Sequence, residues 1–245
     1  MKKTFFISLA MCVSQLIVSQ SATAAECVPQ SEMADIASHF SQFKNISNAQ
    51  FCFDGSPTSN LIATLVSMRK TAFASDMKKS KDELFSGRFA ANWYKYFIER
   101  ITDLDVQDSC PKGVGAYVYG WGTTMYVCPL MLTDSFSAID RASVFMHEAR
   151  HIDGYPHITC SKGPRRGLRG ACDSRISDGG SYAVTVETYA QLGKYATDLH
   201  PALKTYAMAS AVVYADEAFE TPARINRQES LLLMSKSKDL YSLDP

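Results

Sequence analysis

The stretch SAIDRASVFMHEARHIDGYPH, residues 137–157, contains three of the five histidines of the chain. Its apolar residues recur at helical spacing, and Ser137 is a residue type that caps helix amino termini, as are Asp134 and Ser135 just before it. Gly154, with a proline two residues later, is typical of a helix end. The sequence therefore predicts a helix over 137–152 followed by a sharp turn.

His147 and His151 lie four residues apart, so the helix places both imidazoles on one face, where they can bind one metal ion. Glu148 is next along the helix and can reach a metal-bound water without binding the metal itself. Zinc lowers the pKa of such a water to about 7, and a neighbouring carboxylate can then take its proton. The pattern H-E-x-x-H predicts one catalytic Zn²⁺ with Glu148 as general base.

A catalytic zinc needs a third protein ligand and keeps one open position. His157 is the first candidate, because Gly154 allows the backbone to turn and return a histidine to the metal. Glu187 is the second, as the only charged residue of SYAVTVETYAQLG, residues 181–193. A lone carboxylate on such a helix lies either near a cation or on the solvent-exposed face of the helix. It resembles the third ligand of gluzincin metallopeptidases, a glutamate on a helix downstream.

The eleven residues 147–157 match H-E-x-x-H-x-x-G-x-x-H, and here the chain resembles the metzincin metallopeptidases. That resemblance implies a zinc ion held by three histidines and a methionine-bearing turn below the metal. Met208, in TYAMASAVV (205–213), follows the motif. Its segment has a helical pattern, which predicts a core methionine instead.

A second resemblance covers AYVYGWGTTMYVCPLML (116–132) and VFMHEARH (144–151). These residues are similar to the approach to the catalytic helix in the deuterolysin-like peptidases, the aspzincins. In that family an aspartate in G-T-x-D-x-x-Y-G supplies the third ligand. The nearest match in this chain begins at Asp178, one residue further from Tyr182 than the family spacing, so Asp178 becomes a third candidate.

Histidine ligands also need hydrogen-bond partners that orient their rings, and Asp153, Asp173 and Asp178 are available. Asp178 is equally suited to cap the helix that follows it. We therefore predict His157 as the third metal ligand and keep Glu187 and Asp178 as the alternatives.

Two further elements are expected around the metal. In zincins the strand before the catalytic helix lines the cleft and pairs with extended peptide, and residues 124–131 are the candidate for that strand. A hydrogen-bond donor beside the metal is expected to stabilise the oxyanion. The candidate donors are Tyr155, Tyr182, Tyr189 and His200. A basic loop, favouring acidic substrates or simply solvated, is formed by Arg165, Arg166 and Arg169.

The amino terminus has the parts of a secretory signal peptide: two lysines, an apolar run over residues 5–18 and small residues at 22–25. Cleavage is expected after Ala24 or Ala25, which gives a periplasmic or secreted protein with no stable membrane insertion. Six of the seven cysteines remain and form three sequential couples, as expected in an oxidising compartment. The predicted pairs are Cys27–Cys52, Cys110–Cys128 and Cys160–Cys172.

The predicted fold is α+β and mostly helical, zincin-like, with a small β-hairpin before the HExxH helix and three disulfides. After a signal peptide over residues 1–25, residues 26–245 are expected to form a single domain. Apart from the helix over 137–152, the pattern predicts a hairpin from residues 113–120 and 125–132. It also predicts helices over 31–44, 57–78, 86–102, 181–196 and 201–219.

These features together predict a secreted or periplasmic zinc metalloendopeptidase-like hydrolase acting on protein or peptide substrates. The formal net charge of zero argues against a nucleic-acid partner. The alternative is a non-catalytic metal-binding or structural extracytoplasmic protein, and hydrolysis of a non-peptide bond is a further alternative. An open metal position would favour the enzyme and a closed four-ligand site the structural role. The oligomeric state is left open.

Overall fold

The computed structural model of the protein describes residues 26–47, 50–75, 77, 92–120, 122–133 and 135–221. The predicted signal peptide, residues 1–25, lies outside the described residues. So does the segment 222–245, which completes the predicted single domain.

The described chain has the predicted mixed α+β architecture and is mainly helical. The helices are α1 Gln30–His39, α2 Pro57–Lys70, α3 Trp93–Ile98, α4 Ala138–Ile152, α5 Ser181–Tyr195 and α6 Pro201–Glu217. The strands are β1 Cys27–Val28, β2 Phe51–Cys52, β3 Asp103–Val106, β4 Ala116–Val118 and β5 Thr124–Val127.

Helix α4 confirms the prediction over 137–152. The Ser137 side chain accepts a hydrogen bond from the Asp140 backbone, and the Asp140 carboxylate accepts one from the Ser137 backbone, which forms a capping box. At the other end the backbone turns through Gly154, whose φ of +87° is rarely adopted by other residues. These two local signals hold the metal-binding motif at the last turns of α4.

Three helices are shorter than predicted. The helix expected over 31–44 is α1 followed by a separate 3₁₀ turn, Ser41–Ile46, because the backbone of Phe40 is extended. The helix expected over 57–78 ends at Lys70, beyond which Phe73 bridges to Ala196. Only α3 is seen of the helix expected over 86–102, part of which lies outside the described residues. Helices α5 and α6 match the predictions within two residues.

The sheet confirms the hairpin but corrects its role. Strand β5 pairs antiparallel with β4 and parallel with β3, in the order β3-β5-β4. The prediction that residues 124–131 form a peptide-binding strand is wrong, because β5 has a neighbour on each side and Pro129–Leu132 form a 3₁₀ turn. The edge strands are β3 and β4, and β4 is the one that packs against α4. We did not predict β3, whose partner lies about twenty residues further along the chain.

Helix α4 is the centre of the packing, with α2, α3, α5 and β4 against it and α6 against α5. Phe145 of α4 stacks on Phe97 of α3 with ring centroids 5.0 Å apart. Met208 lies on α6 and is buried, as its helical pattern predicts. The H-E-x-x-H motif is thus carried by a helix that packs against four other elements of the fold.

All three predicted disulfides are present: Cys27–Cys52, Cys110–Cys128 and Cys160–Cys172. Three disulfides in one chain indicate an oxidising, extracytoplasmic compartment. Among the described helices, none combines the length and the apolar character needed to span a bilayer.

Candidate metal centre

Three histidines converge at the carboxyl end of α4. The Nε2 atom of His157 lies 2.9 Å from Nε2 of His147 and 3.1 Å from Nε2 of His151. Within the described residues, these three form the group of side chains close enough to share one metal ion. The turn at Gly154 therefore returns His157 to the helix, as the motif predicts.

The protonation of two rings follows from their partners. Nδ1 of His151 lies 2.6 Å from the carbonyl oxygen of Tyr155, which can only accept, so Nδ1 carries the proton. Nδ1 of His157 lies 2.8 Å from the Asp173 carboxylate and donates to it. In the neutral form of each ring Nε2 then carries the lone pair, and the two Nε2 atoms lie 3.1 Å apart.

The third ring is oriented in the same way. Nδ1 of His147 lies 2.9 Å from Oγ1 of Thr185, and the hydroxyl of Thr185 donates to the Ser181 carbonyl at 3.3 Å. The hydroxyl oxygen is then available to accept from Nδ1 of His147. The first two turns of helix α5 thus fix the orientation of the His147 ring. The Nε2 atom of His147 then points to the position between the Nε2 atoms of His151 and His157.

Three converging lone pairs repel one another unless a cation lies between them. Burial and the neighbouring histidines hold the pKa of His147 well below its usual value and lower the pKa of His151 to about 4. Both rings are therefore neutral at physiological pH, the state in which imidazole binds a metal. Zinc ligands at about 2.0–2.1 Å in tetrahedral geometry lie about 3.3 Å apart, close to the observed nitrogen separations. The three histidines fit a metal ion.

Asp173 holds His157 in place and also binds the start of helix α5. Its Oδ1 accepts from His157, and its Oδ2 accepts the backbone N–H of Tyr182 at 2.9 Å in the first turn of α5. Asp173 is buried, and the absence of a side chain at Gly180 leaves room for its carboxylate. Of the three aspartates considered for orienting a ligand, Asp173 has this role.

The other two aspartates have different positions. Asp153 lies at the end of α4 and pairs with Arg100 at 3.0 Å and Arg150 at 2.8 Å. Asp178 is exposed in a 3₁₀ turn and does not cap α5, whose cap position is Gly180. Neither aspartate belongs to the group of potential metal ligands in the described chain.

Glu187 does not lie with the three histidines either. It lies on α5 and is buried, with Oε1 accepting from Nε2 of Gln191 at 2.9 Å. Gln191 in turn accepts from the indole of Trp93 at 3.0 Å, so the carboxylate belongs to a polar network in the core. Among the three candidates for the third ligand, His157 is the one that lies with His147 and His151.

Glu148 lies beside the histidines and is shielded from solvent. Its side chain is almost fully buried, and this burial raises the pKa of the carboxyl group to about 8. The backbone N–H of Val118 donates a hydrogen bond to it and opposes this rise. A carboxyl group with a pKa near neutral pH can both accept and release a proton there.

The histidines and Glu148 line one open cavity of about 870 Å³, between α4, β4 and the loop after the motif. The backbone N–H of Cys128 donates to the Gly115 carbonyl at 2.9 Å. In an antiparallel pair every second residue directs its backbone N–H and C=O at the partner strand, so the backbone groups of Tyr117 also point to β5. The backbone groups of Ala116 and Val118 then point to the free edge of β4, which agrees with the contact of Val118 with Glu148. This edge, and not β5, lines the cavity.

Of the four predicted oxyanion donors, Tyr182 is at the metal centre. Its ring centroid lies 4.5 Å from that of His157 and 4.9 Å from that of His147. The Tyr189 hydroxyl instead donates to Asp140, and the Tyr155 ring lies under the Arg150 guanidinium. His200 is exposed and caps α6.

Two residues of the cavity wall were missed by sequence reasoning. Thr185 orients His147, and Tyr214 of α6 lines the cavity beside Tyr182. Both are ordinary residues of helical patterns, and nothing in the local sequence distinguishes them. The packing of α6 on α5, which follows from the fold, is what brings Tyr214 to the site.

No protein-family model matches this chain, and no curated protein or solved structure matches it either. The features established by the structure are a group of three histidines able to hold a metal ion and three disulfides. Together they fit an extracytoplasmic metal-binding protein.

Proposed function

We propose that this protein is a zinc-dependent metallopeptidase that uses Glu148 as general base. The observation that carries the proposal is the arrangement of three inward-facing Nε2 atoms beside a buried carboxyl group, all in one open cavity. Three protein ligands leave a fourth tetrahedral position for water or substrate, whereas structural zinc sites have four protein ligands. The disulfides support a site of action outside the cytoplasm.

A bound zinc ion would supply a Lewis acid that polarises the substrate carbonyl and lowers the pKa of water. Glu148 takes the proton of the attacking water and later delivers it to the leaving amine. In the absence of metal its carboxyl group is held neutral by burial, and a nearby dication favours the ionised form that this role requires. The Val118 N–H fixes the carboxylate at the cavity wall.

Tyr182 is the side chain placed to stabilise the developing oxyanion. Burial raises the pKa of its hydroxyl, so the hydroxyl stays protonated and can donate a hydrogen bond. Its ring packs against His157, which holds it beside the metal position. A donor of this kind typically contributes about 10²–10³ in turnover.

An extended peptide is the substrate class that the cavity favours. The free edge of β4 presents the N–H and C=O groups of Ala116 and the C=O group of Val118, which are the groups that pair with an added strand. The edge runs along the same cavity as the histidines, so a peptide bound there passes the metal position. Pairing through main-chain groups requires no particular side chain.

The test uses the mature chain, residues 26–245, purified with zinc. Zinc content is measured by mass spectrometry, and cleavage is measured on a mixture of denatured proteins by identifying new peptide termini. We expect one zinc per chain and cleavage that Glu148→Gln lowers about 10²–10⁴-fold while zinc content is unchanged. Asp178→Asn, an exposed acid near the site, serves as the matched control and keeps full activity.

The outcomes separate the alternatives. A chain that binds zinc and cleaves nothing is a non-catalytic metal-binding protein, and the peptidase proposal is then wrong. A chain that binds no zinc contradicts the proposal at its first step. Activity that survives Glu148→Gln contradicts the role of Glu148.

A further inference from the structure

Arg165 brings a positive charge into the cavity that contains the histidines. It lies in the loop closed by Cys160–Cys172, where Gly163 and Gly167 have positive φ and turn the chain back. Among the described residues that line the cavity, Arg165 is the only lysine or arginine and Glu148 the only acid. Arg166 and Arg169 of the same loop are exposed and do not line it.

The Arg165 side chain is held in a defined position. One of its nitrogens donates to the Ala171 carbonyl at 3.2 Å, and the guanidinium carbon lies 5.1 Å from the Tyr182 ring and 5.5 Å from the Tyr214 ring. These contacts support the planar group without neutralising its charge. Its ion pair among the described residues is with Glu217, at 4.0 Å, which is longer than a hydrogen bond.

The position of this charge relative to the metal is limited by Tyr182. The Tyr182 ring lies 5.1 Å from the guanidinium carbon and 4.5 Å from the His157 ring, so guanidinium and imidazole are at most 9.6 Å apart. The charge also lowers the pKa of His147, which agrees with its proximity. An extended residue spans about 3.3–3.6 Å, so a group bound by Arg165 lies one or two residues from a carbonyl at the metal.

We propose that Arg165 binds a substrate carboxylate next to the scissile bond, so that the cavity selects peptides with an acidic side chain or a free carboxyl terminus at that position. The inference rests on the proposed peptidase function and adds its substrate class. Guanidinium presents paired N–H donors that match a carboxylate, and the partly buried cavity strengthens that interaction. Arg165 is thus a specificity-determining residue, and its guanidinium packs against the rings of Tyr182 and Tyr214.

The first test measures binding, not turnover. The probes are the monohydroxamates of succinic and glutaric acid, whose hydroxamate binds zinc and whose carboxylate can reach Arg165, and the corresponding amides, which lack the charge. On the zinc-loaded mature chain we expect at least one acid to bind about tenfold or more tightly than its amide. Failure of every hydroxamate to bind contradicts the metal centre itself. Equal binding of acids and amides contradicts the Arg165 proposal alone.

Variants assign the preference to one side chain. Arg165→Gln is expected to bind the acids and amides equally, with the affinity for the amides unchanged, and Arg165→Lys to keep part of the preference. Arg166→Gln removes the same charge from the same loop, outside the cavity, and is the matched control. An acid preference that is retained in Arg165→Gln, or lost equally in Arg166→Gln, overturns the proposal.

Peptides then identify the source of the carboxylate. Cleavage of internal Asp or Glu peptides with amidated ends, over their Asn or Gln counterparts, assigns the carboxylate to a side chain. Cleavage that requires a free carboxyl terminus assigns it to the end of the chain. If Arg165→Gln instead lowers the turnover of acidic and neutral peptides by the same factor, Arg165 stabilises the oxyanion and the proposal is wrong.

Discussion

His157 and Asp173 form the hydrogen bond that fixes the third histidine of the candidate metal centre, with Nδ1 and Oδ1 2.8 Å apart. Because the other oxygen of Asp173 accepts from Tyr182, a single buried carboxylate ties the third histidine to the start of α5. The ring orientation of His157 therefore depends on the position of that helix.

Asp173→Asn is expected to lower zinc affinity about 10–100-fold, because an amide cannot accept both hydrogen bonds and is a weaker partner for the imidazole. Competition with a chromophoric zinc chelator measures the change. The control is Asp153→Asn, which removes an acid that pairs with Arg100 and Arg150 but contacts no histidine. Equal affinities for the two variants would show that Asp173 does not orient the ligand.

Gly180→Ala is expected to weaken zinc binding by the same route. A methyl group at Gly180 would overlap the Asp173 carboxylate and displace it from His157. The φ of Gly180 is −71°, which alanine adopts without strain, so the effect comes from lost space. The same competition titration measures it, and Gly122→Ala, with its nearest neighbour 3.5 Å away, should leave zinc affinity unchanged.

The metal-free protein is expected to be most stable near pH 6.5. Burial lowers the pKa of His147 and His151 below their unfolded value of 6.5, so on acidification the unfolded chain takes up protons that the folded chain excludes. Burial raises the pKa of Glu148 from 4.5 to about 8, so stability falls as the pH rises through that range. Each group changes the free energy of unfolding by about 1.4 kcal/mol per pH unit.

As the pH falls below 6.5, the loss of stability from the two histidines outweighs the gain from Glu148, so the net contribution of the three groups falls on acidification. Between pH 6.5 and 8, Glu148 acts alone and its contribution falls as the pH rises. Urea unfolding of the metal-free chain across this range measures the profile. Glu148→Gln should abolish the loss above pH 6.5, and a decline that persists unchanged in this variant assigns it to other groups.

Replacing Cys160 and Cys172 with serine should reduce both stability and zinc affinity. The disulfide lies beside the backbone pairing of Ile158 with Cys172. Ile158 directly follows His157, and Cys172 directly precedes Asp173. The control variant replaces Cys27 and Cys52 with serine. Removing either disulfide lowers the free energy of unfolding by about 2–4 kcal/mol. Zinc affinity should fall only for the Cys160–Cys172 variant, and an equal fall for both would rule out this local role.

Arg141→Met is expected to lower the free energy of unfolding by about 2–4 kcal/mol. The Arg141 side chain is buried on α4 and donates to Thr64 at 3.0 Å, to Asn60 at 3.2 Å and to the Phe136 carbonyl at 2.6 Å. Methionine fills the space but leaves these acceptors without their donor. Chemical denaturation measures the loss, and Arg166→Met, at an exposed position, should change stability by no more than about 0.5 kcal/mol.

Local signals made most of the metal centre predictable. The spacing of His147 and His151 is a property of one helix, and Gly154 marks the turn that returns His157. The order β3-β5-β4 was not predictable in the same way, because the parallel pairing of Asp103–Val106 with β5 depends on the whole intervening chain. For the same reason the cavity edge was assigned to the wrong strand of a correctly predicted hairpin.

The choice among the aspartates shows the same limit at the level of side chains. Asp153 lies within the motif and is closer in sequence than Asp173 or Asp178, yet the aspartate that contacts a histidine is Asp173, which is buried against Gly180. Likewise, three arginines share one loop, and only Arg165 reaches the cavity. Residue type and spacing predict neither the aspartate that orients His157 nor the arginine that reaches the cavity. Both depend on how a glycine-rich loop folds back on α5.

The ligands and the groups that orient their rings all lie between His147 and Thr185, whereas the opposite wall of the cavity comes from the sheet. Contacts over such short chain separations form at little entropic cost. The three histidines and the β4 edge proposed to pair with peptide therefore come from separate parts of the fold. Damage to the sheet would remove the edge proposed to bind peptide and leave the three histidines together, so the same architecture can support a metal carrier as well as the proposed peptidase.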